Sequence, residues 1–132
     1  MSASPQAMVT AARRLLLPEA GAVQSLAPGL RARAAAVLLR MALDLALDAY
    51  WLNVTPSMTH VGKHRMLCLE WYAGHETARQ CRTTWTALSA ACHYRSYELP
   101  PASVEIHARL QEVDGILAAL APDDNGLSGT ST

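Results

Sequence analysis

The chain has 132 residues, 51% of them hydrophobic and 17% charged, with no Phe and a formal net charge of zero. That length and apolar content suit one globular domain with a real core and exclude a disordered chain. The balanced charge excludes a polycation built to coat nucleic acid. Alanine and leucine dominate, and isoleucine occurs only at Ile106 and Ile116. Such a composition favours helices and is poor in the branched residues that strands prefer. The charge is unevenly spread: residues 1–95 hold ten Lys/Arg against five acids, a net of +5. Residues 96–132 hold Arg109 against six acids, a net of −5.

Five helical segments follow in chain order. The first is expected over residues 6–17, stopped by Pro18, with Arg13 and Arg14 facing water. The second, over residues 28–52, is the longest, and Pro28 fits its first turn, where a missing N–H costs nothing. At about 100° per residue, Arg33, Arg40, Asp44 and Asp48 fall along one stripe interrupted only by Val37. Leu30, Leu38, Leu39, Met41, Leu43, Leu45, Leu47 and Leu52 fill the rest of the circumference. A helix with so narrow a polar stripe is expected at the centre of a bundle. Arg40 and Asp44, four apart, can pair, though the acid-first order would be the better one.

Pro56 marks a turn, and Ser57 or Thr59 is expected to cap a third helix ending near Gly74. The fourth is expected over residues 75–94, with Cys81, Trp85, Leu88 and Cys92 as its core face. Pro100 and Pro101 close the connection to a fifth helix over residues 102–120. Val104, His107, Leu110, Val113 or Asp114, and Leu117 are expected on its inner side. Short links favour antiparallel neighbours. The expected fold is therefore all-α: an up-and-down bundle of four main helices plus an N-terminal helix. Residues 1–122 form one domain, and residues 123–132 read as a polar, disordered tail.

The most apolar segment, residues 34–52, is interrupted by Arg40, Asp44 and Asp48, so no membrane span is expected. No basic residue opens the chain and no apolar run follows, so no secretory leader is expected. Cys68, Cys81 and Cys92 are then read as reduced thiols of a cytoplasmic protein.

Few constellations carry chemistry. His60, His64 and Cys68 recur every fourth residue, but the third lies another 6 Å or so along the axis from any ion that the first two could grip. No metal or other cofactor is expected. His75-Glu76 begins like a zinc-protease helix, but Arg79 stands where the second histidine belongs. Residues 59–65, with Thr59, His60, Lys63, His64 and Arg65, imitate the start of a recognition helix, which makes DNA a third-ranked partner.

The richest stretch is residues 88–101, where His93, Tyr94, Arg95, Tyr97 and Glu98 gather as a helix ends. Polar and aromatic groups at such a corner can meet a partner while the core holds the helix body. They can also cap and pack, since His93 and Arg95 suit the negative end of the helix dipole. With Arg40, Asp44 and Asp48, they form the candidate binding set.

A helical domain whose late helix ends in a histidine followed by tyrosines resembles the HEPN family. The run Leu-Ser-x-Ala-Cys-His-x-x-x-Tyr-Glu-Leu-Pro-Pro, residues 88–101, is also similar to small helical proteins of actinobacteria. RNA-cutting HEPN members carry an arginine, four to six residues, then a histidine, paired across a dimer. Here Thr86, Ala87 and Leu88 occupy the positions that would need the arginine before His93. The resemblance thus implies a non-cutting, dimeric partner or regulatory module, binding itself or another protein. A ribonuclease would need His93 as acid or base with Arg82 or Arg95 supplied by a second subunit.

Overall fold

The computed structural model describes residues 4–17, 28–55, 62–93 and 101–121, all in helices or the residues that flank them. The order is α1 (Pro5–Leu16), α2 (Pro28–Val54), α3 (Gly62–Ala73), α4 (His75–Cys92) and α5 (Ser103–Leu120). The chain is all-helical, with no strand among the described residues. No described helix is long and apolar enough to cross a membrane. Ser57 and Thr59, expected as caps, and the 123–132 tail lie outside the described residues.

Local chemistry explains several helix ends. Ser4 caps α1, its hydroxyl oxygen accepting the Ala7 N–H at 3.0 Å, and Pro5 takes the first turn. Arg13 and Arg14 sit in the last turn, where the dipole favours cations. Arg14 faces water as expected, but Arg13 bonds Asp114 at 2.8 Å and so ties α1 to α5. Only Gly74 separates α3 from α4, at φ 99° and ψ 157°. That backbone region is essentially reserved for glycine, so a corner this sharp needs one. The His75 Nδ1 meets the Glu70 Oε1 across the corner at 2.8 Å.

The core sits around α2, which packs against α1, α4 and α5. Its buried face is largely alanine: Ala32, Ala35, Ala36, Ala42 and Ala46, with Leu39, Leu43, Leu47 and Trp51. Small side chains let neighbouring backbones approach, which is how one helix serves three partners. α1 contributes Val9, Ala12 and Leu16, and it packs on α5 as well as α2. α5 contributes Ile106, Leu110, Val113, Ile116, Leu117 and Leu120.

Several facing expectations need correction. Val104 is 79% exposed, and Ile106 takes the inward position at the start of α5. Of the alternatives Val113 and Asp114, Val113 is buried and Asp114 turns to Arg13. On α4 the deepest line is Ala78, Cys81, Thr84 and Leu88, which leaves Trp85 and Cys92 half-buried on its flank. Leu30, Met41 and Leu52 of α2, expected inside, are exposed. α2 is thus buried on one broad side and open along another.

α3 stands apart in character. It packs on α4, and Leu69 is its only fully buried side chain among the described ones. Leu67, Trp71 and Tyr72 are exposed, with Trp71 reaching 88%. Side chains also bind α3 to α2. The buried Trp51 ring meets Tyr50 and Tyr72 edge-on, at centroid distances of 5.2 and 5.1 Å.

Candidate functional site

Three side-chain groups converge along the open side of α2. At its middle, Arg40 lies over the Trp85 ring of α4, its guanidinium carbon 4.8 Å from the centroid. Cation–π attraction holds it there. The Arg40–Asp44 pair is not what forms. Asp44 and Asp48 both accept from Arg65 of α3, the first at 3.0 Å. Arg65 wins because its fork spans two carboxylates one turn apart, whereas Arg40 is drawn sideways to the indole. Arg40 therefore has no carboxylate partner among the described residues.

Between α2 and α4 runs an open groove of about 300 Å³ lined by Val37, Arg40, Met41, Asp44, Trp85 and Cys92. Burial pushes the Cys92 thiol above its ordinary pKa, while the Arg40 guanidinium and the nearby Arg33 charge pull the other way. Burial also pushes the Cys81 thiol, deeper on the same helix, up to about 12. Neither is an activated nucleophile.

At the C-terminal end of α4, His93 is the capping residue, its N–H donating to the Ala90 carbonyl at 3.3 Å. Its imidazole is exposed. The His93 carbonyl accepts from Arg33 Nη1 of α2 at 3.3 Å, so a cation from another helix closes the negative end of α4. Arg33, Ala90, His93, Pro101 and Glu105 border a second cleft of about 210 Å³.

Of the residues singled out from sequence, the structure places His93 at a surface cleft and Arg40, Asp44 and Asp48 along an open helix side. Tyr94, Arg95, Tyr97 and Glu98 lie outside the described residues. Arg82 is half-buried on α4, eleven residues before His93 and about 16 Å along the axis. The guanidinium beside His93 belongs instead to Arg33, sixty residues away in sequence. Membership of the α2 stripe was its only sequence signal. Arg65, one of two firm charges in the segment expected to imitate a recognition helix, is turned onto α2 and only 17% exposed. Thr59 and His60 lie outside the described residues, as do the His64 and Lys63 side chains. No group of three His, Cys, Asp or Glu side chains among the described residues could hold a metal ion.

No protein-family model matches the chain, and no curated protein and no solved structure matches it either.

Proposed function

We propose that the chain is a non-enzymatic, cytoplasmic, HEPN-like interaction protein: an up-and-down helical bundle that works as a homodimer. One observation carries the reading. Leu30, Met41 and Leu52 on α2, and Leu67 and Trp71 on α3, stay outside the core. Fully burying each such side chain is worth roughly 1.5–3 kcal/mol, so a partner that covers several gains substantially. Exposed apolar groups on rigid elements are how association surfaces are built.

The exposed His93, whose backbone carbonyl accepts from Arg33, supports a second reading, a metal-independent ribonuclease in which Arg82 or Arg95 of another copy joins its imidazole. RNA is therefore the second partner considered, and DNA the third. One experiment separates the first two: sedimentation velocity over a concentration series, with a fluorogenic single-stranded RNA followed in the same samples. Dimers and intact RNA are expected. RNA cleavage that disappears in His93→Ala, or a chain monomeric at every concentration, overturns the proposal.

A further inference from the structure

The open side of α2 reads as a seam for another helix. Leu30, Ala34, Val37, Met41, Asp44, Asp48 and Leu52 recur in steps of four and three. At 100° per residue all lie within about 60° of the Met41 direction. That spacing is the one by which a helix presents a continuous line to a packed partner. Leu30, Val37, Met41 and Leu52 on this line are all exposed, at 58%, 41%, 45% and 60%. Ala34, half-buried and small, permits close approach in between.

Charge divides along the flank of that line. On the N-terminal half, Arg40, about 100° round from Met41, supplies a cation with no carboxylate partner among the described residues. On the C-terminal half two carboxylates, Asp44 and Asp48, share the single guanidinium of Arg65, which leaves one negative charge uncompensated among the described residues. Laid parallel, two such seams would set Arg40 against Arg40 and the acids against the acids. Laid antiparallel, they set opposite charges together.

We infer that the occupant of this seam is α2 of a second copy, antiparallel, with the two-fold axis passing at Met41. The inference rests on the self-association proposed above and names its surface and register. About that axis a residue n places before Met41 meets the one n places after it. Leu30 then meets the second copy's Leu52, Val37 meets Leu45, and Met41 meets itself. Arg40 comes within a turn of the second copy's Asp44, well inside the reach of an arginine side chain. The Leu30–Leu52 line is about 33 Å long. The groove beside Val37, Met41, Trp85 and Cys92 receives the second copy's Met41, whose flexible thioether fits irregular space against an indole.

The test uses the full chain. Met41→Lys places two ammonium groups face to face on the axis and should raise the dimer dissociation constant about 30-fold or more, as loss of a central anchor does. Helix content by circular dichroism should be unchanged, because Met41 is a surface residue. In a Cys92→Ser background, Met41→Cys should form an intermolecular disulfide under mild oxidation, identified by peptide mapping. Ala49→Cys, exposed about 80° around the helix, should not. A dimer that survives Met41→Lys and forms no link at position 41 overturns this register and leaves self-association standing. A chain that is monomeric at every concentration overturns both.

Discussion

Arg65 ties α3 to α2, and Arg65→Met isolates its contribution by keeping the aliphatic stem and removing the guanidinium. Arg65 bonds two carboxylates that are 45% and 43% exposed, while its own side chain is largely covered. Hydrogen bonds to buried charges contribute about 1.5–3 kcal/mol each. Fully exposed pairs contribute about 0.2–1 kcal/mol. An intermediate setting gives about 1 kcal/mol per bond, hence about 2 kcal/mol for the clasp. Asp44 and Asp48, one turn apart, then repel by a few tenths of a kcal/mol more. The partnerless, buried Arg65 Nε offsets part of this, because the variant no longer has to desolvate it. The loss should be local. α3 has Leu69 as its only fully buried described side chain and packs on α4, so it can open while α1, α2 and α5 stay joined. Native-state hydrogen exchange should therefore show amides of residues 66–73 exchanging about 30-fold faster, with α5 unchanged. Arg79→Ala, which removes an exposed pair with Glu76, serves as the control and should leave both alone. Equal acceleration in every helix, or none in α3, would refute the assignment of Arg65 as a local clasp.

Other expectations follow from single contacts. Thr84 is buried and its hydroxyl donates to Glu112 Oε1 at 2.8 Å; Thr84→Val keeps the shape, removes the donor and should cost about 1–2 kcal/mol in urea denaturation. An unchanged midpoint would show that Arg109, 3.2 Å from the other Glu112 oxygen, satisfies the carboxylate alone. Gly74→Ala should lower stability by about 1–3 kcal/mol through backbone strain alone, since an added Cβ meets nothing within 4 Å. Gly74→Asn should do no better, because ψ 157° lies outside the left-handed region that asparagine tolerates; rescue by Asn would show that the corner relaxes. The Cys81 thiol has its pKa raised from 9.0 to about 12 in the folded chain. Above pH 9 the unfolded chain loses a proton that the folded chain keeps, so stability falls between pH 9 and 12, with a slope approaching ~1.4 kcal/mol per pH unit. Cys81→Ala should remove that slope from the alkaline limb, and identical limbs in the two proteins would refute the burial of the thiol.

Element positions were legible because the chain punctuates them. Pro18, Pro28, Gly74 and Pro100–Pro101 bracket helices whose ends fall within a few residues of the expected ones, wherever the described residues permit comparison. On α5, Leu110, Val113 and Leu117 were read inward and are buried, whereas Ile106, Ile116 and Leu120 were missed. α2 resisted because apolar residues surround it almost completely. Leucines mark neither face: Leu39, Leu43 and Leu47 are buried, whereas Leu30 and Leu52 are exposed. Alanines carried the signal. Ala32, Ala35, Ala36, Ala42 and Ala46 mark where three neighbours press close, and a reading that weighted volume rather than hydropathy would have turned the helix correctly. The contacts of the candidate site were hidden for a different reason. Arg33 with His93, and Arg65 with Asp44 and Asp48, join residues from separate helices, and no periodicity within one helix encodes which of two arginines a carboxylate meets.

The two sides of α2 bear on how the proposed dimer would behave. A seam formed by a helix that the core already holds needs no folding on contact, so association costs chiefly translational freedom and side-chain ordering. Its apolar members and its charged members then act on different rates. Leu30, Met41 and Leu52 leave water only in the docked complex, so their loss should appear as faster dissociation. Arg40 and the Asp44–Asp48 pair act across solvent before contact; screening them with salt should slow encounter and weaken the preference for the antiparallel arrangement. The Arg65 clasp links both effects to α3. By compensating only one of two carboxylates, it leaves the seam a residual charge opposite to that of Arg40, and removing it should strengthen the electrostatic pairing while it loosens the helix from which it comes.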